Sequence, residues 1–271
     1  MAFDINNFVI DRIVRGVALS QKDDSVLFSI NQIQNASLNC ASESTDAVDA
    51  LGTPIATFYR AKTAEFSAEN ALFDMNLMAT QLGMENGKSV ASASSKIVVP
   101  AMESFTLGEK AHWDENIVIT NKYVLKHAPI AVPTEIYAIN GDSTFGAKYV
   151  KESAASDVAF AYTEADHTLT LPTGLAAGTE LFVMYEYESE NAVEVINSAK
   201  NFPVGCKFIM EVLGCDVCDQ TNLIYAYVIF NNFKLSPDFD WSIATDGAHP
   251  FSGRAQQDYC DKEKRLEVIA A

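Results

Sequence analysis

The chain has 271 residues, 48% of them hydrophobic and 20% charged, with a formal net charge of −17. That size allows one large or two modest domains with a packed core. The acidic balance excludes a protein built to hold nucleic acid, which needs clustered Lys and Arg to neutralise phosphates. The nearest basic run, DKEKR at 261–265, carries acids of its own.

Residues 1–7 lack the basic start and apolar core of a signal peptide, and the longest apolar run, 223–230, is too short to span a bilayer. The expectation is a soluble, non-secreted chain with no membrane partner. Five cysteines, an odd number, argue against a disulfide framework.

Residues 26–40 (VLFSINQIQNASLNC) alternate. Val26, Phe28, Ile30, Ala36, Leu38 and Cys40 fall on one face, and Ser29, Asn31, Asn35, Ser37 and Asn39 on the other. This period of two predicts one long half-buried strand with a neutral, wetted face. Gly52 and Pro54 mark a turn, and 55–66 predict a second strand, so the two read as a long hairpin.

In FSAENALFDMNLMATQLG, residues 66–83, Ala68, Ala71, Leu72, Met75, Met78, Ala79 and Leu82 recur at helical spacing. They predict one flanking helix at about 67–82, with Ser67 as N-cap and Gly83 beyond its C-terminus. Phe73 and Leu77 fall on its opposite side, either as a local surface pair or as a contact to a neighbouring subunit.

Residues 84–116 read as polar and irregular, with a short strand at 97–100. Between 121 and 190, short strands separated by turn signals predict an inserted β-sandwich of immunoglobulin type, without the Cys–Trp–Cys signature. Strands at 206–214 and 221–235 follow, the second apolar on both faces as a covered strand is. A strand, an Asp-Gly turn and a final strand are predicted over 236–260. The expected organisation is mainly β: a sandwich- or barrel-like core from 1–120 and 191–271, with the insertion at 121–190.

Chemistry finds no foothold in the motifs. GMENGKS at 83–89 has three residues before its Gly-Lys-Ser where a phosphate-binding loop has four, and it leaves a helix instead of opening one. CDVC at 215–218 lacks the second Cys pair of a structural zinc site, and Cys206 alternates with Phe208, Met210 and Val212 as a small hydrophobe does. The four histidines stand apart, and Asp238, Asp240 and Asp246 do not have calcium-loop spacing. No catalytic residue, cofactor or metal is expected.

Two stretches, VDALGTPIATFYRAKTAEFSAENALFDMNLMATQLG at 48–83 and SPDFDWSIATDGAHPFSGRAQQDYC at 236–260, carry a resemblance to the major tail tube proteins of long-tailed bacteriophages. The resemblance implies two sheets packed as a sandwich and flanked by one helix. It also implies six copies forming a ring, and rings stacking into a hollow virion tail tube through which the genome is ejected. The partners implied are other copies of the chain, further tail proteins (sheath, baseplate or terminator), and DNA passing without specific binding. On that reading Asn31, Asn35, Ser37 and Asn39 line the lumen, Phe73 and Leu77 touch a neighbouring subunit, and the insertion faces outward. Arg60 and Lys62 are expected to share one face of the second hairpin strand. A capsid decoration or baseplate component, or an immunoglobulin-like binding module, is the competing reading.

Overall fold

The structure, a computed structural model, describes residues 7–84, 87–217, 219–257 and 266–270. The chain is mainly β. It divides into two compact units, Met1–Ser89 with Val195–Ala271, and Val90–Glu194. The first stretch contributes β1 (Phe8–Ser20), β2 (Val26–Ile30), β3 (Ile33–Val48), β4 (Pro54–Asn70), α1 (Met75–Gln81) and β5 (Ser89–Val90). The second unit follows with β6 (Ile97–Thr106), β7 (Lys122–Val124), β8 (Glu135–Ile139), β9 (Phe145–Lys151), β10 (Ala159–Thr163), β11 (Thr168–Thr170), β12 (Glu180–Ser189) and β13 (Val193–Glu194). The chain then returns to the first unit through β14 (Gly205–Asp216), β15 (Asp219–Leu235), β16 (His249–Ala255) and β17 (Glu267–Ala270).

The first unit is one eight-stranded sheet in the order β2-β1-β14-β15-β16-β4-β3, with β17 added to β15. It curls as a half-barrel, where the resemblance implied two stacked sheets. Register shifts in the β1–β14 and β3–β4 pairings insert single extra residues, which bend and twist strands. The two ends of the strand order, β2 and β3, are consecutive in the chain. Ile33 accordingly reaches back over β1: a Cβ on Gly16 would lie 2.8 Å from its Cδ1. Inside the curl, Phe28, Phe66, Phe208, Phe230, Phe233 and Phe251 form a closed aromatic cluster with ring centroids 5.2–6.3 Å apart. These rings form the centre of the apolar core that holds the unit together.

The predicted strand at 26–40 is two strands, broken at Asn31 and Gln32. The predicted helix at 67–82 is also corrected. Residues 67–70 continue β4, pairing with β16 from Ser67↔Ser252 to Asn70↔His249, and the helix is only Met75–Gln81. Alternation decides this: Phe66, Ala68 and Asn70 are buried in turn, so a period of two outweighs the helix propensity of SAENA. The N-cap is Asp74, not Ser67, and its Oδ1 accepts the Leu77 N–H at 2.7 Å. Gly83, with φ +77, does close the helical turn; a Cβ there would meet the Phe202 backbone at 2.6 Å.

The second unit has seven strands in the path β6-β12-β8-β9-β10-β11-β7 around one core that includes Phe105, Ile136, Phe160, Leu169, Leu181 and Val183. It begins at residue 90, not 121, because β6 runs ten residues and pairs with β12 along its whole length. The strand expected at 97–100 continues through Pro100 to Thr106, because β6 is an edge strand, where proline costs no ladder bond. Buried Glu103 lies in this core. Its carboxylate accepts the Tyr123 and Tyr185 hydroxyls and the Lys126 backbone N–H, so no buried charge is left unsatisfied.

Candidate assembly surface

The outer part of the β3–β4 hairpin has little support from the rest of the sheet. β4 pairs with β16 only from Glu65 to Asn70, so from Pro54 to Ala64 it has β3 alone. Every residue of β3 after Ile33, and the first ten of β4, are exposed. Beyond Ala41 the hairpin therefore extends as an arm of six residue pairs, from Glu43↔Arg60 to Val48↔Pro54, roughly 20 Å at 3.3 Å per residue. Among the described residues, neither outer edge of this arm has a strand partner.

The tip is tightly formed. The Asp49 carboxylate accepts the N–H groups of Leu51 (2.8 Å) and Thr53 (2.9 Å), and these bonds hold its pKa below the usual carboxylate range. Gly52 takes φ +84, as the turn requires. Around this ordered tip stand apolar residues in water: Val48, Leu51 (92% exposed), Ile55, Phe58 and Tyr59 (70%). A preformed arm with this surface can contact other molecules; it has no cluster for chemistry.

Two bulges set which side chains share a face. The first, at Asn35 (φ +53), adds a residue to β3 between the Gln34↔Glu69 and Ser37↔Ser67 pairs. The second, at Ala61 (φ +46), adds one to β4 between Ala41↔Thr63 and Glu43↔Arg60. Thr63 and Arg60 thus lie on the same face and Lys62 on the other, which corrects the expected Arg60–Lys62 pair.

Of the expected lumen residues, the structure brings three together. Ser37 and Asn39 lie beside Glu65 and Ser67 and line a groove of about 750 Å³ that also includes Lys234, Ser252 and Arg254. Asn35 lines an adjoining hollow of about 330 Å³ with Asp238, and its amide donates to Glu69 Oε2 at 2.8 Å. Asn31 sits in the link between β2 and β3, exposed and outside both hollows. The groove is polar and of mixed charge; Arg254 pairs with Glu65 at 2.8 Å, a surface bridge worth at most about 1 kcal/mol.

The expected Phe73–Leu77 surface pair does not form. Leu77 is fully buried against the aromatic core, because the short helix turns that side inward, and it has no surface to offer a neighbour. Phe73 lies before the helix and is half-exposed, stacked on Trp241 at 4.3 Å and on His249 at 5.2 Å. His249 is completely buried, with its Nε2 2.8 Å from Gln81 Oε1 and the Asp74 N–H directed at its Nδ1. Burial holds its pKa below the ordinary value, and the nearby Asp74 carboxylate opposes that shift.

Cys206 packs in the core, where burial pushes its thiol up to about 12. Cys218, Cys260, part of the GMENGKS stretch and the DKEKR run lie outside the described residues. The arm's apolar residues were missed as a functional surface; Val48, Leu51, Ile55, Phe58 and Tyr59 around the turn with Gly52 and Pro54 are the signal that could have found them.

The sequence pattern of the YomU/Tube protein family matches residues 8–264, spanning both units. No curated protein matches the chain. The chain belongs to the YomU/Tube protein family and is a phage tube-like structural protein.

Proposed function

We propose that this member of the YomU/Tube family is the subunit of a bacteriophage tail tube, assembling as hexameric rings that stack into the conduit for genome ejection. The observation that carries this reading is the β3–β4 arm, an ordered hairpin exposed on both faces and unpaired on both edges. An isolated two-stranded hairpin is marginal in water, and open edges invite aggregation unless another chain covers them. Neighbouring copies supply that cover. A heterologous contact that closes gives a ring, and the same contacts repeated along an axis give a tube.

In this arrangement Asn35, Ser37 and Asn39, with the polar groove beside them, face the lumen. Neutral amides and hydroxyls within a chain of net charge −17 let DNA slide past without gripping its phosphates. Residues 90–194 are a further unit of the same virion protein. Its other partners are the tail components at the two ends of the tube.

The test is negative-stain electron microscopy of the purified full chain over a concentration series. Six-fold rings or hollow tubes are expected. A monodisperse monomer at every concentration, with and without a tail-end initiator protein, would overturn the reading.

A further inference from the structure

The outer face of the seven-stranded sheet in residues 90–194 bears an apolar stripe across four adjacent strands. Met102 on β6 sits directly opposite Met184 on β12, and Phe182, on the same face of β12, opposes Tyr137 on β8. Phe145 of β9 completes the stripe, its ring 5.2 Å from Phe182 and 5.5 Å from Tyr137. Met102, Phe145 and Met184 are 67%, 61% and 58% exposed, while Ala101, Ile136, Val183 and Tyr185, the intervening positions, are buried on the inner face. A half-buried sheet should be polar at these outward positions. Adjoining methionines and aromatics there have the composition of an interface centre, and methionine adapts its shape to a partner.

The rim of the stripe is acidic. Glu180, Glu186 and Glu188 share its face on β12, and Glu135 does so on β8. Lys148 neutralises Glu135 at 2.7 Å, and Lys96 lies 3.7 Å from Glu188. Glu180 and Glu186 have no ion-pair partner among the described residues. Residues 90–194 hold 15 Asp and Glu against 6 Lys and Arg, a balance of −9. A second copy of this face would bring the same negative rim against it, and like charges facing each other across an interface are unfavourable.

We propose that this face is a docking surface for a protein partner whose contact patch has an apolar centre and a rim of Lys and Arg. It belongs to the other unit and shares no residue with the arm.

The experiment uses the full chain and a labelled nine-residue peptide of alternating Lys and Leu as probe, read by fluorescence anisotropy at near-physiological salt. A peptide of alternating Lys and Gly serves as the charge control. The Lys-Leu peptide is expected to saturate. Met102→Glu and Met184→Glu should each weaken it at least about tenfold, because each removes a buried apolar side chain from the complex. Glu186→Lys should weaken it several-fold, through lost charge complementarity. Thr173→Glu, which makes the same charge change as the two methionine variants but on an exposed turn of this unit, should leave it unchanged. All four positions are exposed, so an unchanged thermal midpoint will confirm intact folding. Equal affinity across the four variants, or equally tight binding of the Lys-Gly peptide, would overturn the proposal. So would self-association of the free chain that Met184→Glu abolishes, which would make the occupant a second copy.

Discussion

Leu51 and Tyr59 on the hairpin arm separate a folding role from an assembly role. Replace both by aspartate. In the free chain these side chains are 92% and 70% exposed and touch no core residue, so each change should move folding stability by no more than about 0.5 kcal/mol. In the proposed ring the same side chains would be covered by a neighbour, and burying a large apolar side chain contributes about 1.5–3 kcal/mol. The pair then amounts to roughly 4 kcal/mol per contact, or about a thousandfold in the association constant. Sedimentation velocity should show assemblies for the unmodified chain and monomers for the variant at concentrations up to about a thousandfold higher. Thermal melts of the two monomers should coincide. Unaltered assembly would refute the role given to the arm. A variant monomer several kcal/mol less stable would show that these residues hold the fold instead.

Three further outcomes follow from the packing. Leu77→Ala should destabilise the monomer by about 2–5 kcal/mol in denaturant titration, because it opens a cavity beside the aromatic core. An interface residue would leave the monomer unchanged. Tyr185→Phe removes a donor from the buried Glu103 carboxylate and an acceptor for the His127 N–H. It should cost about 1.5–3 kcal/mol, seen as an earlier unfolding transition confined to residues 90–194. His249 is held neutral by burial, so its folded pKa lies below the ordinary 6.5. Its contribution to stability is fully present above about pH 6.5 and is lost as pH falls through the depressed folded value. Melts of the free chain between pH 7.5 and 5 should show that loss, and a His249→Gln variant should show less of it.

Much of the fold was legible because its signals are local. The hairpin announces itself through period-two alternation and the Gly52 and Pro54 turn, and β15 through its dense apolar run, although that strand is not covered on both faces as expected: Leu223 and Tyr225 are exposed while Ala226 and Phe230 are buried. The helix was misplaced because SAENA favours helix locally, while the strand it actually forms is selected by β16, almost 180 residues later in the chain. No composition signal reports a register choice made at that distance. The bulges at Asn35 and Ala61 were equally invisible, since one extra residue leaves hydrophobicity untouched but moves every later side chain to the other face. That is why Lys62, expected beside Arg60, lies on the opposite face. Residues 90–120 were expected in the core because they read as polar and irregular with one short strand at 97–100, and only the pairing with β12 shows β6 to run ten residues. The candidate surface was half legible: its polar groove came from alternation, but the arm's exposure depends on which strands stay unpaired.

Amide hydrogen exchange, comparing the assembled and free chain, tests most directly whether neighbours complete the arm. In the free chain, amides of 41–48 and 54–63 on the open edges should exchange fast, while those facing across the hairpin are only weakly protected. On assembly, both sets should slow by orders of magnitude, with the β15 core amides of Ala226 and Phe230 unchanged. Fast exchange of the arm in the assembled state would contradict the proposal that the arm joins one subunit to the next.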